Sequence, residues 1–158
     1  DLSDEDLGKV HEEVCRVAER KVVGAVELDA IVASVALQVP DSYKLESYVI
    51  NNGNIISSSA QITLSKNDQT MQGVCLGDGP IDAAFLAIER ITGQHYELDD
   101  FQIQAVTEGR EAMGQTVVKL RSEGKVYSGR GISTDIVGAS IRAYINALNK
   151  IVYEEETA

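Results

Sequence analysis

Cysteine and long apolar runs are scarce in this chain of 158 residues. It contains two cysteines and no apolar run of membrane length. Cys15 falls in a helical pattern and Cys75 in a strand pattern, far apart and without C-x-x-C spacing, which predicts two reduced, buried thiols. No secretory signal is recognisable, so the cytoplasm is the expected compartment and no membrane partner is expected.

Positive charge is also limited. The chain has 14 Lys and Arg against 25 Asp and Glu, a formal net charge of −11, and its basic residues are scattered along the sequence. Such a chain repels nucleic-acid phosphate and acidic membrane surfaces, so neither is expected as a partner. With 44% hydrophobic residues, the composition is that of a folded globular protein rather than a disordered one.

Catalytic patterns are absent from the sequence. Neither His11 nor His95 has a recognisable metal-ligand motif around it, no nucleophile elbow or H-E-x-x-H occurs, and we expect both histidines at the surface. The pair Asp99-Asp100 and the acidic tail at 154–156 are expected to be solvated charge. We therefore expect no catalytic residue, metal or cofactor in this chain, and binding is favoured over chemistry.

Two stretches are built alike, GDGPIDAA at 77–84 and GRGISTDI at 129–136. Each places a G-x-G loop before an apolar-striped helix. Strand patterns precede each loop, at 43–50, 60–66 and 70–76 in the first copy and at 96–106, 116–121 and 125–128 in the second. This order predicts a β-β-β-α unit used twice, with antiparallel strands and two long helices, in the α+β class.

The two long helices have clear signals at their ends. Pro80 suits the first position of one helix and Gly93 its end. The other is expected to be capped by Ser133 or Thr134. Its apolar face runs over 137–152, and it carries a separate line of small residues that allows another element to approach closely: Ala139, Ala143 and Ala147.

A smaller helical segment precedes these units. Ser3 can cap a helix with Leu7, Val10, Val14 and Val17 on one face, ending near residues 20–21. A second helix is expected around 27–37 before Pro40. The boundary at 40–42 divides the chain into a helical linker subdomain (1–39) and a main domain (42–158), and the apolar stripes of 1–39 must pack on something else.

The glycine loops have two interpretations. The N-terminus of a helix, called its mouth below, presents free N–H groups and the positive end of the helix dipole, and both attract an anion. Glycine also serves in short turns with no ligand. Nucleotide binding is not expected, because the third glycine of G-x-G-x-x-G is replaced by Asp82 in one copy and Thr134 in the other, and no phosphate-loop pattern occurs.

Three motifs together identify a family. LGDGPIDA at 76–83, TEGREAMG at 107–114 and GRGISTDIVGAS at 129–140, followed by ALN at 147–149, resemble the C-terminal regulatory domain of 2-isopropylmalate synthases, which citramalate synthases share. The resemblance covers about 42–152, and residues 2–37 resemble the helical subdomain that precedes it. It implies a non-catalytic allosteric domain that forms a homodimer and binds the end-product amino acid.

The resemblance also places the catalysis elsewhere. In this family a (β/α)₈ barrel uses a divalent metal to condense acetyl-CoA with a 2-oxo acid, and none of that barrel is in this sequence. The chain thus resembles an excised regulatory part. The family's effector is leucine in isopropylmalate synthases and isoleucine in citramalate synthases. A purely structural dimerisation module, with glycines as turns, stays open as an alternative.

An effector pocket follows from the same resemblance. Backbone N–H groups suit its carboxylate, Asp78 or carbonyl groups its ammonium, and apolar residues its side chain. The small residues Ala105 and Ala112 leave room for a long side chain branched at Cγ, as in leucine. Phe101 stands where the family often has tyrosine. The pocket comprises ten residues: Gly77, Asp78, Gly79, Ile81, Leu98, Phe101, Ala105, Ala112, Ile132 and Thr134.

Overall fold

The computed structural model describes residues 3–18, 24–25, 28, 31–32, 41–54, 57–107, 109 and 112–157. The elements with described bounds are, in chain order, α1 (Asp4–Ala18), β1 (Lys44–Asn51), β2 (Ser58–Lys66), β3 (Gln69–Gly77), α2 (Pro80–Thr92), β4 (Glu97–Ala105), β5 (Gly114–Ser122), β6 (Lys125–Ser133) and α3 (Ile136–Thr157).

The strands form two antiparallel three-stranded sheets. Their orders are β1-β2-β3 and β4-β5-β6, and a helix follows each sheet. The two-residue turns Asn67-Asp68 and Glu123-Gly124 have positive φ throughout, which matches the twist of the strands they join. The predicted α+β fold with a duplicated β-β-β-α unit is confirmed.

The two units match at a constant spacing of 56 residues from their second strand onward. This spacing maps Ser58–Lys66 onto Gly114–Ser122 and Gln69–Gly77 onto Lys125–Ser133. It also pairs Gly79 with Asp135. Matching the two G-x-G motifs to each other, as the sequence suggested, implies a spacing of 52 and is wrong by four residues.

The glycines of the second motif are therefore not in a loop. Gly129 and Gly131 lie within β6. A β-carbon on Gly131 would lie 2.9 Å from the amide nitrogen of Ala143, and one on Gly129 would lie 3.0 Å from the Ala147 side chain. Since α3 packs this closely on β6, its line of small residues contacts its own unit and is not free for another chain.

One core joins both units. Phe85 of α2 packs against Tyr144 of α3, with ring centroids 4.6 Å apart, and edge-on against Phe101 of β4 at 6.0 Å. Buried residues of β2, β5 and both long helices complete this core, including Ile62, Leu64, Ile88, Val118, Leu120, Ile141 and Leu148. Because the helix of one unit contacts a strand of the other, the two units form one body.

The N-terminal helix packs on the second unit. Ser3 caps it as predicted, its hydroxyl oxygen accepting the Asp6 N–H at 3.1 Å. Val10 is buried in a second cluster with Ile31, Met113 and Ile132. Leu7 is 53% exposed, so this member of the predicted apolar face stays open to solvent.

Several expectations for the segment 1–39 fall outside the described residues. Residues 19–23, where α1 was expected to end, and most of 27–37 are among them. The described positions of the expected second helix, Leu28, Ile31 and Val32, are helical. The division of the chain at 40–42 stays a prediction.

Two surface expectations need correction. Both cysteines are free, but Cys15 is exposed and Cys75 is half-buried, so the predicted burial is wrong for Cys15. The acidic tail continues α3 and is not simply solvated. Glu154 pairs with Lys125 at 2.8 Å and Glu156 with Lys66 at 3.4 Å, because the tips of both hairpins lie beside the end of α3.

None of the helices in the described segments is long and apolar enough to span a membrane.

Candidate functional site

The mouth of α2 is open. Gly77 ends β3, and Gly79 is the N-cap, which has an extended backbone and no side-chain cap. Pro80 has no N–H, and the first amide of the helix with an internal acceptor is that of Ala83, which donates to the Gly79 carbonyl at 2.9 Å. The N–H groups of Ile81 and Asp82 are therefore available to an external acceptor.

The loop before this mouth is held by its own helix. The Asp78 N–H donates to Asp82 Oδ2 at 2.9 Å. A β-carbon on Gly77 would lie 2.7 Å from the Ala83 α-carbon, whereas one on Gly79 would have no atom within 4 Å. Gly77 is thus required by packing, and Gly79 borders open space.

The mouth of α3 is filled by the protein itself. Asp135, which matches Gly79 in the repeat, caps the helix by accepting the Val137 N–H at 3.1 Å. Its other carboxylate oxygen accepts the Tyr48 hydroxyl, and its own N–H donates to Ser133 Oγ at 3.0 Å. The predicted cap at Ser133 or Thr134 is wrong, since the capping carboxylate comes from Asp135.

Tyr48 and Phe101 occupy equivalent places in the two units. Tyr48 pairs with Ile62 and Phe101 with Val118, which differ by the repeat spacing of 56. The Tyr48 ring lies against α3, where its oxygen would be 2.5 Å from a β-carbon on Gly138. Phe101 correspondingly contacts α2 through Phe85. The first unit thus carries a tyrosine at the strand position where the second unit carries a phenylalanine, which has no hydroxyl.

The other expected site residues are spread over two regions. Ile81 and Phe101 border the main core. Leu98 is 46% exposed on β4, Ala105 is exposed at its end, and Ala112 is half-buried just before β5. Thr134 lies half-buried in the turn before α3, and Ile132 is buried in the second cluster beside α1. The structure gathers residues 77–81 at one mouth and places Ile132 in a different cluster, and the pocket as a set stays a prediction.

Two cavities in the described part of the chain lie away from the open mouth. They measure about 720 and 610 Å³ and border other elements, and of the ten expected residues Ile132 alone lines one of them within the described segments. Ligand sites bury most of their ligand. The mouth of α2, with exposed Asp78 and Leu76 beside it, needs a further surface to enclose a ligand.

Metal-binding and acid-base groups are sparse. The described residues hold no group of three or more His, Cys, Asp or Glu suited to a metal. His11 and His95 are exposed, as predicted. Sequence reasoning missed that the His11 Nε2 lies 3.6 Å from the Cys15 Sγ. Their i, i+4 spacing on α1 was the available signal, but two ligands fall short of the four that zinc takes.

The contact between Tyr48 and Asp135 was also missed. Asp135 had a local signal, a carboxylate at a helix start. Tyr48 had none, because it lies 87 residues away in the chain.

Comparisons with known proteins give one consistent result. A family model described as the LeuA allosteric (dimerisation) domain matches residues 22–152. A 2-isopropylmalate synthase of Ruminiclostridium cellulolyticum is 38% identical over 154 residues, 97% of this chain and 30% of that protein. The 2-isopropylmalate synthase of Clostridium kluyveri is 38% identical over 155 residues, 98% of this chain and 30% of that protein. The chain spans about three tenths of the length of these relatives.

Proposed function

The chain belongs to the LeuA allosteric (dimerisation) domain family. From this premise we propose that it is the regulatory part of a 2-isopropylmalate synthase, where it forms a homodimer and binds leucine as a feedback inhibitor. The named relatives, similar over almost the whole chain, support the identity of the parent enzyme. Condensation of acetyl-CoA with 2-oxoisovalerate, its metal and its catalytic residues belong to the part of that enzyme outside this sequence.

The difference between the two helix mouths carries the effector proposal. In the second unit the Asp135 carboxylate accepts a first-turn N–H of α3. In the first unit Gly79 stands at the matching position and leaves the Ile81 and Asp82 N–H groups without an internal acceptor. The carboxylate of a free amino acid can take at α2 the place that Asp135 takes at α3.

The surroundings of this mouth suit the rest of an aliphatic amino acid. The exposed Asp78 carboxylate offers a partner for an ammonium group. Ile81 and Phe101 offer apolar surface, and the absence of a hydroxyl at Phe101 leaves that wall without the polar group that Tyr48 brings to the other mouth. Leucine is favoured over isoleucine because small residues at Ala105 and Ala112 leave length for a side chain branched at Cγ.

A second copy of the chain supplies the surface that the open mouth lacks. Val49 and Val74 both pair with Gln61 and therefore share its face of the first sheet. Leu76 lies on the same face two residues further along β3. They are 52%, 54% and 65% exposed. Since Leu76 leads directly into the loop at 77–79, a partner on this face reaches the mouth of α2.

Calorimetric titration of leucine, isoleucine and valine into the purified chain tests the effector. We expect saturable binding of leucine and weaker binding of the other two. Tighter binding of isoleucine than of leucine would identify the parent enzyme as a citramalate synthase instead. No binding of any of the three at millimolar concentration would favour the structural module.

A matched pair of variants tests the position of the site. Gly79→Asp recreates at α2 the self-capping arrangement of Asp135, so we expect it to abolish leucine binding while the chain stays folded. Gly79→Ala adds a β-carbon into open space without charge, and we expect leucine binding to persist. Equal affinity in both variants and the parent chain would place the ligand elsewhere.

A further inference from the structure

The larger groove of the single chain lies away from the mouth of α2. It has a volume of about 720 Å³ and is bordered by α1, the start of β1, β6 and α3. Five cationic side chains line it: Lys9, Arg16, Lys44, Arg130 and Arg142. These residues are scattered in the sequence and gather only in the fold, in a chain whose net charge is −11.

Arg142 has no ion-pair partner among the described residues that line this groove. It projects from α3, is half-buried, and makes no ion pair or hydrogen bond with any residue that the structure describes. Burial lowers its pKa, while Tyr48 and the Asp135 carboxylate act in the opposite direction. Burial, followed by repulsion from Arg142, lowers the pKa of Arg16 to about 10. Two guanidinium groups therefore share a partly dehydrated space, in which the charge of Arg142 disfavours the charge of Arg16.

The carboxylates around the groove do not neutralise it. Glu13 pairs with Arg16, which also donates to the Ile132 carbonyl at 3.5 Å. The other acidic residues of the lining, Glu5, Glu12 and Asp41, are exposed and are screened by water and salt. Arg130 and Arg142 consequently keep guanidinium donors available, and an anion bound to Arg142 would relieve its repulsion of Arg16.

We propose that this groove binds a small anionic molecule through phosphate or carboxylate groups, with Arg142 and Arg130 as its principal ligands. A planar guanidinium presents paired donors that match both groups in bidentate geometry. The volume falls in the range of small-molecule sites, about 300 to 1,000 Å³. The ligand bridges α1 to β6 and α3, so its binding also ties the N-terminal helix to the second unit.

Calorimetric titrations of the 158-residue chain with pyrophosphate and with citrate test the site, each at low and high sodium chloride. We expect saturable binding of at least one anion that weakens as salt rises. Binding of pyrophosphate alone assigns a phosphate ligand, and binding of citrate alone assigns a carboxylate ligand. Absence of saturable binding of both anions to the folded chain would overturn the proposal.

Three arginine variants locate the binding. Arg142→Met and Arg130→Met should each weaken it about 10- to 100-fold, the usual effect of losing a charged hydrogen bond. Arg90→Met removes the same charge from an exposed position on α2 and should leave it unchanged. If Arg90→Met weakens binding as much as the groove variants, the anion is held by general charge and the proposal fails.

The groove and the mouth of α2 can be tested separately. Gly79→Asp, which should abolish leucine binding, should leave anion binding unchanged because Gly79 does not line the groove. If circular dichroism shows that Arg142→Met does not fold, the loss of anion binding is measured with Arg130→Met instead, because Arg130 lies on a strand surface rather than within α3.

Discussion

Glycine is required by close packing at some positions of this chain and not at others. Gly131→Ala is expected to destabilise the fold by about 1–3 kcal/mol, because the added β-carbon would lie 2.9 Å from the Ala143 nitrogen and must push α3 off β6. Urea unfolding followed by circular dichroism measures the change. Gly79→Ala is the control and should shift the free energy of unfolding little, since its extended backbone accepts any residue. Equal midpoints for the two variants would contradict the close packing of α3.

His95 provides a residue-scale test at accessible pH. Its Nδ1 lies 3.0 Å from Glu89 Oε2, and this hydrogen bond, with the charge of Glu89, raises the pKa of His95. The pair therefore stabilises the fold below the unfolded value of about 6.5, and the contribution is lost as pH rises through the folded pKa. NMR titration of the imidazole should show the raised pKa.

Two variants isolate the cause of this shift. Glu89→Gln should return the pKa of His95 towards about 6.5. Glu97→Gln, which removes a charge with a smaller effect on this pKa, should lower it less. A pKa that does not respond to Glu89→Gln would show that the pair does not form in solution.

At the scale of elements, the start of α3 depends on a side chain from the other unit. Asp135→Ala removes the acceptor of the Val137 N–H and of the Tyr48 hydroxyl, and loss of such a cap costs about 0.5–2 kcal/mol. Ser133→Ala removes only the acceptor of the Asp135 N–H and should cost less. Thermal and urea unfolding of both variants measure the difference.

A double-mutant cycle tests whether this cap couples the two units. Tyr48→Phe should destabilise the parent chain more than it destabilises the Asp135→Ala variant. In that variant the Tyr48 hydroxyl has already lost the Asp135 carboxylate as a partner. Identical effects in both backgrounds would mean that Tyr48 and Asp135 act independently.

For the whole molecule, the exposed face of the first sheet is expected to bury against a second copy. The double variant Val74→Glu/Leu76→Glu should yield monomers by light scattering and weaken leucine binding, because in the proposed dimer the partner encloses the mouth of α2. Leu7→Glu changes an equally exposed side chain on α1 and should stay dimeric with unchanged affinity. A dimer that survives the double variant would place the interface elsewhere.

Selectivity for the proposed effector is also expected to depend on the whole assembly. An apolar pocket distinguishes side chains that differ by one methylene by about 1–3 kcal/mol, so leucine should bind roughly 10- to 200-fold more tightly than valine. Ala105→Ile should reduce the leucine preference by overfilling the far end of the pocket. Competition titrations compare the three amino acids. An unchanged preference in Ala105→Ile would remove Ala105 from the pocket wall.

Much of the fold could be predicted from local patterns. Alternation of apolar residues, helical spacing and turn residues predict the strands that end near Lys66 and Gly77. They also predict the helix that begins at Pro80 and ends before Gly93, and the repeated order of elements. The candidate site was only partly predictable. The glycine loop at 77–79 was visible as a motif, but its likeness to 129–131 was misleading, because glycine marks close packing in β6 and an open mouth before α2.

The sequence by itself determined the type and order of the elements and the family, because these depend on residues close together in the chain. Only the tertiary structure decided which helix mouth is open, since Asp135 fills the other with the help of Tyr48 from a distant strand. It also decided that scattered arginines meet in one groove. Contacts between distant segments depend on how two sheets and their helices pack, and local periodicity carries no information about that packing.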